Sequence, residues 1–206
     1  MTIKTYVIGM IGTNCYLAVN EDNRECFLVD PADYSQKITD YIRENELALK
    51  AVLLTHGHFD HIMGIDGFLK EFPVPVYAYK EEKQLLENAQ YNLSAAYGLG
   101  YTFSKAVYME DGEELEVAGK KIRLIHTPGH TAGCCCYYIE SEKILFSGDT
   151  LFYCSVGRTD FPTGSSRELI RSVRERLIPL DADTAVYPGH GEETTIGYEK
   201  QHNYFI

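Results

Sequence analysis

Three imidazoles and a carboxylate fall within six residues of the stretch Thr55-His56-Gly57-His58-Phe59-Asp60-His61, directly after the apolar run Ala51-Val52-Leu53-Leu54. Imidazole nitrogens and carboxylate oxygens are ligands for zinc and other first-row divalent metals. A zinc-protease helix would space two His at i, i+4 with a Glu between them, and that pattern is absent. His56 and His58 instead sit at i, i+2 where a strand would end, and an extended segment projects both rings to one side. The chain has seven His in 206 residues, so three of them in six positions is not the signature of a chance polar loop.

Three later stretches repeat one arrangement. Ile122–Ile125 leads into His126-Thr127-Pro128-Gly129-His130, Ile144–Phe146 into Ser147-Gly148-Asp149-Thr150, and Ala185–Tyr187 into Pro188-Gly189-His190. In each, an apolar strand ends, a glycine permits a sharp turn, and a ligand-type residue is close by. Singly, His130 and His190 could be turn histidines and Asp149 a capping residue. If the strands share a direction, their ends meet at one edge and gather His56, His58, Asp60, His61, His130, Asp149 and His190. Five imidazoles and two carboxylates can hold two divalent metals with one carboxylate bridging. His126, on the strand side of its turn, suits a buried hydrogen bond that supports a ligand better than ligation itself. His202 reads as a surface or packing residue.

The elements that must position these residues follow from periodicity. Runs at Lys4–Gly9, Asn14–Val19 and Glu25–Asp30 suggest an antiparallel meander. Helical spacing begins at Asp33, a capping residue with Gln36 three positions on, and continues through Ile38, Tyr41 and Ile42. A short helix is expected around Ile65–Leu69, a strand at Pro75–Tyr79 and a helix at Glu81–Glu87. The segment Asn88–Ser104 gives no regular signal; its Tyr91, Tyr97, Tyr101 and Phe103 fit either an aromatic wall beside the site or a loop packed on the core. Strands are expected at Ala106–Met109, Lys121–His126, Cys134–Ile139, Lys143–Ser147 and Thr184–Tyr187. A helix capped by Ser165, with Glu168 at its third position, precedes the last strand, and Thr195–His202 closes the chain as a helix. Strands with interspersed helices suggest two β layers with helices outside.

Composition bounds the rest. The length fits a single domain, with 45% hydrophobic and 24% charged residues. A net charge of −11 argues against a general nucleic-acid binder, which needs a basic face. No signal peptide or membrane-length apolar run is found, so the expectation is a cytoplasmic protein with no membrane partner. The six cysteines contain no C-x-x-C pair, and reduced thiols acting as small apolar residues are expected, with a redox role at Cys154 the alternative.

The motifs Thr55–His61 (T-H-x-H-x-D-H), Thr127–His130, Gly148-Asp149-Thr150 and Pro188-Gly189-His190 resemble the metallo-β-lactamase superfamily in its glyoxalase II-like branch, as do Asn14-Cys15-Tyr16 and Gly157-Arg158-Thr159-Asp160. The resemblance spans nearly the whole chain. It implies an α+β fold, an αββα four-layer sandwich. It assigns His56, His58 and His130 to one metal and Asp60, His61 and His190 to the other, with Asp149 bridging. Two divalent ions are implied, zinc first with iron or manganese as alternatives. The activity implied is hydrolysis of glutathione-type thioesters such as S-lactoylglutathione, with Asp60 both ligating and orienting the attacking water. Arg158 matches the position of a basic glutathione-binding residue, although pairing with Asp160 is a structural alternative. Glyoxalase II proper carries an extra C-terminal helical domain, whereas sixteen residues follow His190 here; the expectation is a single domain over 1–206 that takes a smaller or different thioester as readily. Because Gly157–Phe161 also resembles the persulfide dioxygenases, a one-iron oxidoreductase is the second reading, and a metal-holding module without catalysis the third. The partner expected is a small-molecule thioester, with self-association left open.

Overall fold

The computed structural model describes residues 1–206. Two six-stranded sheets face one another. The first contains, in spatial order, β1 (Thr2–Ile8), β2 (Thr13–Asn20), β3 (Glu25–Val29), β4 (Ala48–Leu53), β5 (Val76–Tyr79) and β6 (Val107–Met109). Its first three strands form the expected antiparallel meander, and β3 to β6 pair in parallel. The second sheet is built from β7 (Glu114–Val117), β8 (Lys120–His126), β9 (Cys135–Ile139) and β10 (Ile144–Gly148). A small separate hairpin, β11 (Leu151–Phe152) with β12 (Ser155–Val156), follows, and β13 (Ala185–Pro188) and β14 (Thr194–Thr195) complete the second sheet. β7, β11, β12 and β14 are additions to the sequence expectation; the last three have only two residues each, too few for a periodicity to register.

Strand alternation creates the layers. Every residue of β2 is buried, and successive side chains serve different cores. Cys15, Leu17 and Val19 join Leu28, Ile38, Ile42, Ile65 and Phe68 beneath the helices α1 (Gln36–Glu44) and α3 (Ile65–Glu71). Tyr16 and Ala18 turn the other way, into the core between the sheets with Phe27, Leu124, Tyr137 and Phe146. A third core lies outside the second sheet, where Cys136, Leu145 and Val186 meet Val173 and Leu177 near α5 (Ser166–Ser172) and Ile196 of α6 (Ile196–His202). The consecutive cysteines obey the same rule: Cys135 faces the inter-sheet core and Cys136 the outer one. All six thiols are free, and the layering is the αββα sandwich. Fully burying a side chain the size of Leu145 or Phe146 contributes roughly 1.5–3 kcal/mol, so the three cores carry the fold.

Topology delivers the strand ends to one edge. β9 is antiparallel to both β8 and β10, and β13 is parallel to β10, so β8, β10 and β13 point the same way. The sheets are stitched at that edge by backbone bonds from Cys135 N–H to the Thr55 carbonyl (2.9 Å) and from Asn14 N–H to the Gly189 carbonyl (2.8 Å).

Two helix starts differ in chemistry. The α5 cap is as expected, with the Ser165 side chain accepting from the Glu168 N–H. The first helix starts later than expected: its cap is Ser35, which makes no side-chain bond, while Asp33 accepts from the adjacent Tyr34 N–H. An Asp that satisfies its own turn is unavailable as a helix cap. The Glu81–Glu87 helix is split into a 3₁₀ turn (Lys80–Glu82) and α4 (Lys83–Leu86), and a short helix, α2 (Phe59–Ile62), follows β4. Ser165→Ala is expected to destabilise the protein by about 1 kcal/mol, a fall of roughly 2–4 °C in Tm, whereas Ser35→Ala has less effect. Thermal denaturation of both variants followed by circular dichroism checks this.

Candidate metal centre

The four ligand loops converge. The residues His56, His58 and His130 form one buried group whose nitrogens lie within 4.8 Å of one another, and Asp60, His61 and His190 form a second. Asp149 lies between: its Oδ1 is 3.5 Å from His61 Nε2, and its Oδ2 is 3.5 Å from His130 Nε2 and 3.7 Å from His190 Nε2. All seven residues singled out by sequence are therefore in one place. His56 and His61 are wholly inaccessible, and His190 is the most open of the set.

Backbone geometry makes this crowding feasible. A Cβ on Gly189 would lie 2.2 Å from Asp149 Oδ1 and 2.7 Å from His61 Cε1, so only glycine lets the His190 loop approach. A Cβ on Gly157 would strike the Asp149 carbonyl at 1.9 Å.

A second set of partners orients the ligands, and most of it was not foreseen. Asp30, at the end of β3, accepts the Thr55 N–H (2.8 Å) and hydroxyl (2.7 Å) through its two oxygens. Its Oδ2 also accepts Nδ1–H of His61 at 3.0 Å, which turns Nε2 toward Asp60 and Asp149. Thr13 donates its hydroxyl to Asp60 Oδ2 at 2.9 Å. His130 donates Nδ1–H to the Arg158 carbonyl at 2.7 Å. The Pro188 carbonyl accepts from the Asn14 side chain (2.9 Å) and the Tyr16 hydroxyl (2.6 Å), which anchors the His190 loop to β2. Buried Glu82 accepts the Gly57 N–H (2.7 Å) and the Thr131 hydroxyl, joining the loop between His56 and His58 to the loop of His130. Asp30 carried a legible signal, because it too ends an apolar strand beside the cluster. Glu82, in an acidic run on a short helix, carried none.

His126 corrects the sequence reading. It is half-buried rather than buried, stacks on Tyr79 at 4.3 Å, and its Nε2–H donates to the Ala132 carbonyl, so it supports the loop and no ligand. His202 is exposed and packs on Tyr198. Cys154 lies beside Tyr198 and Glu199. The Asn88–Ser104 segment does both jobs assigned to it: Phe103 is buried in the first core, while Leu93 and Tyr97 reach the cavity above the ligands.

Electrostatics prepare the ligands. Burial, reinforced by the neighbouring imidazoles, holds His56 and His58 well below the usual histidine range, so both are neutral and carry free lone pairs. For His61 burial works the same way, but Asp60, Asp149 and Asp30 outweigh it and raise it to about 10. Burial opposes the charge of Asp60, yet His61, His190 and the Thr13 hydroxyl overcome it and keep the carboxyl ionised below the ordinary range. The carboxylates thus draw positive charge to this point, a proton on His61 or a divalent cation. The buried atoms His56 Nε2, His58 Nε2, His61 Nε2 and Asp149 Oδ1 have no hydrogen-bond partner within the protein. Buried polar atoms are seldom left so, and four of them in the two ligand groups fit metal ions.

The centre opens into a cavity of about 390 Å³. Its floor is His58, Asp60, His130, Asp149 and His190, and its walls include Ile11, Phe59, Tyr97, Phe152 and Phe161. Arg158 lies at this cavity with its side chain exposed, its Nε and Nη2 donating to both oxygens of Asp160 at 2.7 and 2.6 Å, and its guanidinium 4.0 Å from the Phe161 ring centre.

An αββα sandwich with histidine and aspartate loops gathered at the ends of parallel strands is the architecture of a metallo-hydrolase. Residues 8–190 match the family model of the metallo-beta-lactamase superfamily, and the chain belongs to that superfamily. It is 33% identical over 209 residues to the hydroxyacylglutathione hydrolase GloC of Haemophilus influenzae, spanning 100% of this chain and 98% of the relative. Among solved structures it is similar to BLEG-1 B3 metallo-beta-lactamase, with 37% identity, a TM-score of 0.92 and 99% of each chain covered. It is also similar to TTHA1623, solved in a di-iron-bound form, with 33% identity, a TM-score of 0.87 and coverage of 98% of this chain and 100% of that one.

Removing the supports of the ligands tests the geometry. Asp30→Ala is expected to weaken retention at the Asp60–His61–His190 group by about ten- to a hundredfold, and Glu82→Ala to do the same at His56–His58–His130. Metal content measured by elemental analysis after dialysis against graded chelator checks both, with Glu82→Gln expected to recover part of the loss.

Proposed function

We propose that this chain is a binuclear metal-dependent hydrolase of thioesters of the glutathione type, with S-lactoylglutathione as the representative substrate. The observation that carries the proposal is the set of orphaned buried ligand atoms at and beneath the floor of an open cavity. In this reading His56, His58 and His130 hold one divalent ion, Asp60, His61 and His190 the other, and Asp149 is shared between them. Zinc is the first choice for these N and O donors, with iron or manganese as alternatives; the di-iron form of TTHA1623 supports iron. Bound ions supply the Lewis acidity that makes water acidic near neutral pH and polarises a carbonyl.

The remaining work falls to the chain. Asp60, held ionised, keeps Oδ2 fixed by the Thr13 hydroxyl and 3.3 Å from His190 Nε2, where it orients the attacking water. Arg158 is the cationic side chain of the cavity and the group that meets a substrate carboxylate, in exchange for Asp160. The reaction joins the water oxygen to the acyl carbon and breaks the carbon–sulfur bond. The bonding pair leaves with sulfur, and the products are a carboxylate, a thiol and one released proton. The name of the Haemophilus influenzae relative supports the thioester class.

Thioester cleavage is followed by loss of thioester absorbance, in parallel with metal analysis of protein purified without added metal. His56→Ala and Asp60→Asn are each expected to lower kcat/KM by at least about a hundredfold, the scale of losing a group that stabilises the reacting atoms. Cleavage that survives His56→Ala removes the mechanism. A single iron with oxygen uptake on glutathione persulfide replaces the hydrolase with the dioxygenase reading. Arg158→Ala is expected to raise KM for S-lactoylglutathione with little change in kcat.

A further inference from the structure

Outside its five metal-site residues, the cavity is walled mainly by apolar and aromatic side chains, and its polar groups are Ser155, Arg158 and the Tyr97 hydroxyl. Glutathione carries two carboxylates and an ammonium. The walls answer these three charges with one cation, two of whose five N–H donors are engaged by Asp160 at 2.6 and 2.7 Å and whose face is packed on Phe161. No carboxylate outside the ligand set faces the cavity to receive the ammonium. A protein of net charge −11 adds no long-range attraction for an anionic substrate.

The apolar wall is also maintained against local cost. Leu93 has φ +70°, a left-handed backbone that bulky residues avoid, and its side chain lines the cavity. A glycine would hold that turn without strain, so the position keeps leucine for its side chain. Tyr97, 50% exposed, leans on Phe59 with ring centres 4.4 Å apart, and Ile11, 48% exposed, adds a second open aliphatic surface from the β1–β2 turn. Two large, exposed apolar side chains from separate loops meet at one cavity. That is the composition of a pocket for an apolar group with a few polar residues to orient it.

We propose, building on the thioesterase reading but departing from it in the choice of thiol, that the site selects thioesters whose substituent on sulfur is uncharged and apolar, an aryl or branched alkyl thiol, in preference to glutathione. Leu93 and Tyr97 are its specificity-determining residues, and Asp160 disfavours anionic thiols by competing with them for Arg158. The bond broken is the same carbon–sulfur bond, with water as the co-reactant and the apolar thiol leaving with the electron pair.

The test uses one acyl group on two thiols: S-lactoylglutathione and the lactoyl thioester of benzyl mercaptan, assayed with the metal-loaded enzyme. The benzyl thioester is expected to have the higher kcat/KM by about tenfold, the discrimination that a hydrophobic pocket supplies for a small apolar group. Leu93→Gly relieves the strained turn, so its Tm stays within a degree or two of the parent or rises, yet the preference for the benzyl thioester falls at least threefold. Asp160→Asn, which releases the guanidinium, moves the ratio toward glutathione through KM. A parent enzyme that favours S-lactoylglutathione, or a Leu93→Gly variant with an unchanged ratio, overturns the inference and leaves the thioesterase reading standing. Cleavage of neither thioester overturns both.

Discussion

Seven candidate ligand side chains gathered together, six of them buried, are an electrostatic liability unless partners are supplied, and the rest of the molecule is arranged around that fact. Each imidazole or carboxylate taken out of water loses hydration worth several kcal/mol unless a new partner replaces it. The protein replaces part of it. Asp30 serves His61 and Thr55 together, Thr13 serves Asp60, and the Arg158 carbonyl serves His130. Four ligand atoms are left with nothing, and these are the ones that a cation would satisfy. Rigid supports and unsatisfied inner atoms together define a preorganised centre: the protein bears the cost of assembly while folding, so little rearrangement remains when a ligand arrives.

The sequence made the centre legible because it is written in strand ends. An apolar run followed by glycine and a ligand-type residue recurs at Gly148-Asp149 and Gly189-His190, and the succession of strands with interspersed helices implies two β layers. What it could not show is the set of partners one step farther out. Glu82 sits in an acidic run that reads as a solvated helix face, and only the fold reveals that it crosses to Gly57 and Thr131. Thr13 and the Arg158 carbonyl act through positions far from their ligands in sequence, and a backbone carbonyl has no residue signature at all. His126 illustrates the opposite error: a histidine at the mouth of a ligand loop has a ligand's sequence context, but its stacking on Tyr79 is a tertiary fact. The helix starting at Ser35 instead of Asp33 reflects a purely local competition, since a side chain that bonds the next N–H cannot also cap a helix.

Chemistry and selectivity occupy different parts of the fold. The candidate ligands stand in loops and one short helix that follow the strand ends, at the edge where the two sheets are bonded to each other through Cys135–Thr55 and Asn14–Gly189. The groups around the cavity mouth come from connections: the β1–β2 turn gives Ile11, the long segment after α4 gives Leu93 and Tyr97, and the hairpin and following loop give Phe152, Arg158 and Phe161. Loops of this kind change without disturbing the sheets, so one bond-breaking centre can be fitted with different mouths. Similarity to proteins named as a hydroxyacylglutathione hydrolase and as a beta-lactamase is the pattern that such a division of labour produces.

The His190 loop is held by the second strand of the chain, through Asn14, Tyr16 and the Asn14–Gly189 backbone bond. Residues 13 and 190 therefore contribute to the same group through Asp60, although nearly the entire sequence separates them. The centre is built like a clasp: a cation bound at these residues would fasten the beginning of the sandwich to its last strands. Any ion that binds the folded centre and not the open chain raises the free energy of unfolding of the whole domain with the logarithm of its concentration. Occupancy of the centre and resistance to unfolding would in this way be coupled, one rising with the other in the same molecule.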